Sequence, residues 1–259
     1  MKKLRFLFVA FCLPVGLYAQ VQPADSLALK NITENPIKTS NDNTFKVKSL
    51  ILPAAFITYG ALSFGDNPIS NLDRTTKNEL QEDHPLFAAH LDNYMQFAPA
   101  LTVYALNFAG IKGKNTLVDA TGIYVLSSAI MGGSVSLLKH TSHRLRPDGS
   151  SYTSFPSGHT ALAFAGAEFL KQEYKDVSPW YGFAGYAVAT ATGTLRMYNN
   201  KHWFSDVVAG AGIGILSTKL AYYLYPHLKK LVVGKQTLSY SMVPVYEDKT
   251  FGLSFHGTF

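Results

Sequence analysis

The placement of apolar and polar residues divides the chain into regions of different character. The first nineteen residues, MKKLRFLFVAFCLPVGLYA, have a basic start, an apolar middle and a small residue, Ala19, before Gln20. That order is the pattern of a secretory signal peptide, so residues 1–19 predict export and are set apart from the fold. Residues 20–47 are polar, rich in Asn, Asp, Ser and Lys, and read as an exported linker. From Ser49 to Phe64 runs SLILPAAFITYGALSF, apolar but short for a membrane span and interrupted by Pro53. Residues 66–92 are charged, with a helical pattern in NLDRTTKNELQ, and either cover a site or lie at an interface. Five apolar stretches follow: Tyr94 to Ile111, Leu117 to Leu138, Thr160 to Leu170, Trp180 to Leu195 and Val207 to Tyr225. Each is rich in Ala and Gly, which permits close helix–helix approach.

The pattern predicts an all-α domain over residues 48–230, a membrane-associated bundle of about six helices. Within 231–259 the apolar period changes to two, with Leu238, Tyr240 and Met242, then Phe251, Leu253 and Phe255, around Glu247-Asp248-Lys249. That predicts a short C-terminal β-hairpin-like tail. Lysines mark one end of the bundle: Lys112 and Lys114, Lys171 and Lys175, Lys229 and Lys230. By the positive-inside tendency those ends are cytoplasmic, and residues 139–159 and 196–206 face the periplasm. A cleaved signal puts residue 20 outside, and a full span at 49–64 would invert everything downstream. The expectation is therefore that 49–64 does not cross, or that the bundle is only membrane-associated. The predicted location is the cell envelope, at the inner membrane, with a periplasm-facing site.

Composition adds exclusions. The chain is 47% hydrophobic and 15% charged, with a formal charge of +6. Three of the positive charges, Lys2, Lys3 and Arg5, lie in the signal segment, which argues against a nucleic-acid partner. Cys12, the only cysteine, also lies there, after Phe11, which is too large for a lipobox. The mature chain thus has no disulfide framework and no thiolate metal site. No protein partner is legible.

Candidate chemistry sits in three clusters at one predicted end of the bundle. In KHTSHRLRP, residues 139–147, Lys139 and Arg146 are seven apart, so two helical turns would put them on one face before Pro147 ends the helix. The same residues taken alone are also a basic helix end complementing the dipole. In SFPSGHT, residues 154–160, Pro156 and Gly158 mark a turn and Ser157 caps the next helix, whose free amides suit an anion. His159 would project from its first turn. In RMYNNKHWFSD, residues 196–206, a helix starting near His202 places Asp206 beside it, so that the carboxylate fixes the imidazole tautomer. A surface ion pair has the same spacing. Together the clusters supply three cations, oriented amides and two histidines, a set suited to a transferring phosphoryl group. One histidine would serve as nucleophile and the other as general acid.

The order Lys139-x6-Arg146-Pro147, Pro156-Ser157-Gly158-His159, Arg196-x5-His202-x3-Asp206 resembles the type 2 phosphatidic acid phosphatase superfamily, which also contains vanadium haloperoxidases. The motifs span residues 139–206, and the helical pattern extends the likeness to about 45–230. The resemblance implies that His202 attacks phosphorus and forms a phosphohistidine, that Asp206 orients it, and that His159 protonates the leaving alcohol. It implies phosphate contacts from Lys139, Arg146, Ser157, Gly158 and Arg196, with no metal and no cofactor. The substrate class it implies is a lipid phosphate, of phosphatidic acid, phosphatidylglycerol phosphate, undecaprenyl pyrophosphate or lipid A type. One position departs from the pattern: Leu195 stands where the family commonly has Ser, which removes a hydroxyl contact.

Rival readings are a periplasmic acid phosphatase acting on small esters, a vanadium haloperoxidase, a metal hydrolase on His140, His143 and His159, a serine hydrolase on Ser157, and a non-enzymatic membrane protein on the same scaffold. The haloperoxidases resemble longer chains with larger insertions. A cationic site repels a divalent ion, and FPSGH lacks the G-x-S-x-G elbow.

Overall fold

The computed structural model describes residues 47–85, 87–233, 239–247 and 250–258. The expected signal segment 1–19 and all but the last residue of the linker 20–47 lie outside these residues. A 3-10 turn, Val47–Leu50, leads into α1 (Ile51–Ala61), α2 (Pro68–Asp83), the single turn α3 (Asp92–Met95) and α4 (Ala98–Phe108). Then come α5 (Leu117–Ser142), α6 (Gly158–Tyr174), α7 (Pro179–Tyr198) and α8 (Phe204–Val233). The six apolar helices expected from the sequence are α1 and α4 to α8. The charged segment adds α2 and α3.

Local chemistry accounts for the helix starts. Asn67 accepts hydrogen bonds from the amides of Ile69 and Ser70, and Pro68 occupies the first helical position of α2. Thr116 caps α5 through the amide of Asp119, and Ser178 precedes Pro179 at the head of α7. α6 is the centre of the bundle. Ala161, Ala163, Ala165, Ala167 and Phe169 are buried on all its sides, as expected of a helix surrounded by others. It packs against α4, α5, α7 and α8.

Small residues set the closest approach. A Cβ on Gly214 of α8 would lie 2.2 Å from the Ala161 carbonyl oxygen of α6, and one on Gly210 would lie 2.6 Å from the Ser157 carbonyl. No side chain fits there, so α8 crosses α6 with backbones nearly touching. Phe169 stacks on Tyr124 with ring centroids 4.9 Å apart, in a cluster with Val103 and Tyr174. Cutting a buried aromatic such as Phe169 back to Ala costs about 3–5 kcal/mol.

α5 and residues Phe204–Leu231 of α8 are long and apolar enough to cross a membrane. α1 has 11 residues, and at about 1.5 Å per residue it covers only about half of a hydrocarbon core. It lies instead along α8, where Gly212 meets Pro53, Phe56 and Ile57. At the C-terminal end β1 (Ser239–Glu247) pairs antiparallel with β2 (Thr250–Thr258), Glu247 opposite Thr250 and Ser239 opposite Thr258. Leu238 and Phe259, which bound the tail expected from the sequence, are outside the described residues.

The antiparallel order brings four helix ends to one place. α5 and α7 finish there, and α6 and α8 start there. The lysines at 112, 114, 171, 175, 229 and 230 belong to the opposite helix ends.

Candidate active site

The three sequence clusters meet where those four ends converge. α5 stops at Ser142, because His143 takes a left-handed conformation (φ 44°). Arg146 therefore lies past the helix, and the expectation that it shares a helical face with Lys139 is corrected. What bends the chain away is Arg144, which turns inward to two buried carboxylates. Its Nη1 donates to Asp206 Oδ1 at 2.7 Å and its Nη2 to Asp73 Oδ2 at 2.7 Å. The loop after it is pinned to the α7–α8 corner by the amide of Asp148 on the Asn200 carbonyl and by Lys201 Nζ on Asp148 at 2.6 Å.

α7 ends at Tyr198, and Asn200 takes a positive φ of 55° to turn the chain. α8 begins only at Phe204, so His202 stands just ahead of the helix and not on its first turn. Asp206 still reaches back to it. Oδ2 of Asp206 accepts from the Trp203 amide at 2.9 Å and from Ser154 Oγ at 2.5 Å, and lies 3.7 Å from His202 Nδ1. That last separation is an ion-pair distance, too long for a hydrogen bond. With Nδ1 toward Asp206, Nε2 is the nitrogen left for chemistry. Burial pushes the His202 pKa down; Asp206 opposes the shift, and Lys139 and Arg196 reinforce it. The net effect favours the neutral imidazole.

α6 starts at Gly158 with Ser157 as its cap. Ser157 is fully buried; its Oγ sits 2.8 Å from Thr160 Oγ1, and its amide donates to the Asp206 carbonyl at 3.0 Å. Of the expected phosphate ligands, Ser157 is the one whose hydroxyl is already engaged within the fold. His159, one residue into the helix, is half-buried, with its Nε2 2.8 Å from Asn93 Oδ1. Burial first, then Arg196, lowers its pKa to about 4; Asp92 opposes that, and His202 and Arg146 add to it.

Arg196 is 8% exposed and donates from Nη1 to Asp92 Oδ2 at 2.6 Å. Lys139 Nζ donates to the Thr153 carbonyl at 2.5 Å. Leu195, beside Arg196, is half-buried and offers no polar atom to the site. Among the described residues, Arg146 Nε, Arg196 Nε, His202 Nδ1, Asp92 Oδ1 and Asn200 Oδ1 are buried without a hydrogen-bond partner in the chain. Buried polar atoms are nearly always satisfied, so guanidinium donors left open at one place mark a binding surface for an anion. No group of three His, Cys, Asp or Glu side chains among the described residues is arranged to hold a metal ion. A small cleft between α2 and the α7–α8 corner is lined by Asp73, Lys77, Leu80, Asn200, His202 and Trp203, among others. Of the expected site residues it touches only His202.

Asp73, Asp92, Asn93, Arg144 and Ser154 had no role assigned from the sequence. Arg144 stood inside a cluster already singled out, with a second arginine two residues on as its only signal. Asp73, Asp92 and Asn93 come from the charged segment and its end, where one reading was a cover over a site. No periodicity separates a buried aspartate from its solvated neighbours there.

The sequence model of the PAP2 superfamily matches residues 120–230, which hold all three clusters. A curated relative, lipid A 1-phosphatase of Porphyromonas gingivalis, is 43% identical over 144 residues, 53% of this chain and 31% of the relative. The chain therefore spans less than a third of that relative's length. Among solved structures, Aquifex aeolicus LpxE is similar at 22% identity, covering 56% of this chain and 93% of that one, with a TM-score of 0.43. The transmembrane PAP2 type phosphatidylglycerolphosphate phosphatase from Bacillus subtilis is similar at 20% identity, covering 74% and 100%, with a TM-score of 0.46. The matched segment begins within α5, so α1 to α4, which supply Asp73, Asp92 and Asn93, lie outside it.

Proposed function

We propose that the chain is a phosphatase that releases phosphate from a lipid phosphate through a phosphohistidine, without a metal. The observation that carries this is the pairing of a neutral, buried His202, backed by Asp206, with open guanidinium donors on Arg146 and Arg196. A nucleophile beside unsatisfied cations suits an electrophile that is itself an anion, and a phosphate monoester fits.

Nε2 of His202 attacks phosphorus in line with the leaving oxygen. Lys139, Arg146, Arg196 and the Gly158 amide hold the equatorial oxygens, while Ser157 aims that amide by capping α6. As the P–O bond breaks, His159 gives its proton to the leaving alkoxide, which departs as the alcohol. His159, now neutral, takes a proton from a water that attacks the phosphohistidine, and inorganic phosphate and free His202 result. Asp206 faces Nδ1 and stabilises the positive charge on the ring through both steps. A His159 pKa of about 4 belongs to the site with its cations uncompensated. A bound phosphate dianion adds the opposite charge and raises it, so that the acid is loaded when substrate arrives.

Lipid as the substrate class is supported by the outer surface of the bundle. Leu101 and Phe108 on α4, Val118 and Val125 on α5, and Trp180 and Phe183 on α7 are exposed, more apolar surface than a soluble monomer tolerates. The lipid A 1-phosphatase likeness makes a phosphorylated lipid A the first substrate to try, ahead of phosphatidic acid, phosphatidylglycerol phosphate and undecaprenyl pyrophosphate. We place the protein in the envelope with the site toward the periplasm, in line with the lysines at the opposite helix ends.

The test is phosphate release from those four lipids and from a small ester, by the wild type and by His202→Ala. Release from lipid by the wild type, with none from the folded variant, is expected. Unchanged turnover in His202→Ala removes the nucleophile, and a preference for the small ester moves the assignment to a soluble-ester phosphatase.

A further inference from the structure

We infer that Asn93, on the single turn α3 outside the matched segment, is a positioning residue for the leaving-group acid. It holds His159 with a proton on Nε2, so that Nδ1 is the nitrogen that delivers the catalytic proton. The inference rests on the reading of His159 as that acid.

The position of Asn93 is imposed by its neighbour. Asp92 is 1% exposed and bonds Arg196 Nη1 at 2.6 Å. This buried charge-assisted contact fixes α3 against the end of α7, and the next residue cannot wander. Asn93 Oδ1 then falls 2.8 Å from His159 Nε2, a full hydrogen bond between segments 66 residues apart in sequence. An amide oxygen only accepts, so Nε2 must carry a hydrogen in the neutral ring as well as in the imidazolium. The contact survives both states, and the proton that comes and goes is the one on Nδ1.

The chemistry of the partner fits the task. His202 acquires positive charge in the reaction and is backed by a carboxylate, Asp206. His159 must give its proton up, and a carboxylate partner would hold that proton too tightly. A neutral amide orients the ring without adding charge. Asp92 brings a carboxylate close to His159 but spends Oδ2 on Arg196. Leaving Nη1 of Arg196 with Asp92 also keeps its Nε free of protein partners, so α3 orders clamp and acid together.

The test compares two esters of similar size, para-nitrophenyl phosphate and benzyl phosphate, on the full-length protein in detergent. The nitrophenol leaves without help, whereas benzyl alcohol needs the acid. Asn93→Ala should lower kcat for benzyl phosphate about tenfold or more, a part of the roughly 10²–10⁴-fold that a general acid supplies. It should leave para-nitrophenyl phosphate within about threefold. Asn93→Asp should restore part of the loss by restoring the acceptor. Equal losses on both esters overturn the inference. His159→Ala separates it from the reading beneath it. If that variant loses activity equally on both esters, His159 is not the acid. If it is selective and Asn93→Ala is not, Asn93 alone falls.

A second readout needs no turnover. Nitrogen NMR of histidine-labelled protein, with the His159 signal assigned by its loss in His159→Gln, reports the tautomer. The Nε2–H form is expected in the wild type, with its ring proton protected from solvent exchange by Asn93 Oδ1, and that protection should be kept in Asn93→Asp and lost in Asn93→Ala. Unchanged protection in Asn93→Ala overturns the inference even where small esters turn over too slowly to compare.

Discussion

The two halves of the site are built on opposite terms. On the nucleophile side the carboxylates are saturated. Asp206 receives Arg144, Ser154 and the Trp203 amide; Asp73 receives Arg144, the Ser205 amide and Ser205 Oγ. On the anion side the donors are open: Arg146 Nε and Arg196 Nε are buried and make no bond among the described residues. Two arginines of the same loop therefore differ in what they hold. Arg144 is 13% exposed and has given both ends of its fork to Asp73 and Asp206, whereas Arg146 has given none. The first is fixed by folding and holds rigid the carboxylate of Asp206 behind His202. The second is left for a ligand to complete.

The largest effect expected from breaking this arrangement is catalytic. Asp206→Asn should lower kcat by about 10³–10⁴-fold, as loss of the orienting carboxylate does in a triad, with KM changed little. Steady-state kinetics on the preferred lipid checks it, and a change confined to KM would move Asp206 to the anion side. Next comes stability. Arg144→Met leaves Asp73 and Asp206 buried without their cation and should cost about 3–5 kcal/mol in denaturant unfolding. A variant as stable as the wild type would remove the claim that this half is fixed by folding.

Arg146→Gln should behave in the opposite way. Losing one charged donor from the anion weakens binding by about 1.5–3 kcal/mol, read as a tenfold or larger rise in the inhibition constant of inorganic phosphate. Unfolding should change little, since Arg146 has no partner to desert. A large loss of stability there would erase the contrast with Arg144.

The smallest effect is in pH. His159 is held near 4 and His202 is also pushed down, against an ordinary value near 6.5. For a depressed histidine the contribution to stability is full above the unfolded value and is lost as pH falls toward the folded one. Stability should therefore decline between about pH 6.5 and pH 4, and His159→Asn should flatten part of that slope. Bound phosphate should flatten it too, by raising the folded value of His159. A slope unchanged in the variant would mean that other groups set it.

The helices were legible in the apolar spacing, which predicted α5 to α8, and the offsets of Lys139, Arg146, His159, Arg196, His202 and Asp206 picked out residues that the fold brings to one end of the bundle. The helix boundaries were less legible. A left-handed His143 ended α5 before Arg146, and His202 fell two residues short of α8, because both loops are held by long-range contacts that periodicity does not encode. Ser157 was foreseen both as a cap and as a ligand, and the structure shows it as the cap of α6, with its hydroxyl against Thr160.

What the sequence determined by itself was therefore chemistry at short range: which residues recur at helical spacing, and which charged groups share one end of a bundle. Tertiary structure decided the division of labour. How much of an arginine's fork is spent within the fold depends on which aspartates arrive beside it from distant segments: Asp73 and Asp206 take both ends of Arg144, and Asp92 takes one end of Arg196. Whether His159 has a partner depends on a single turn at residues 92–95 being held in place by Arg196. Local pattern fixes where a side chain starts. Only the packing of distant segments fixes what it meets in a low-dielectric interior, where each pairing or its lack is worth several kcal/mol.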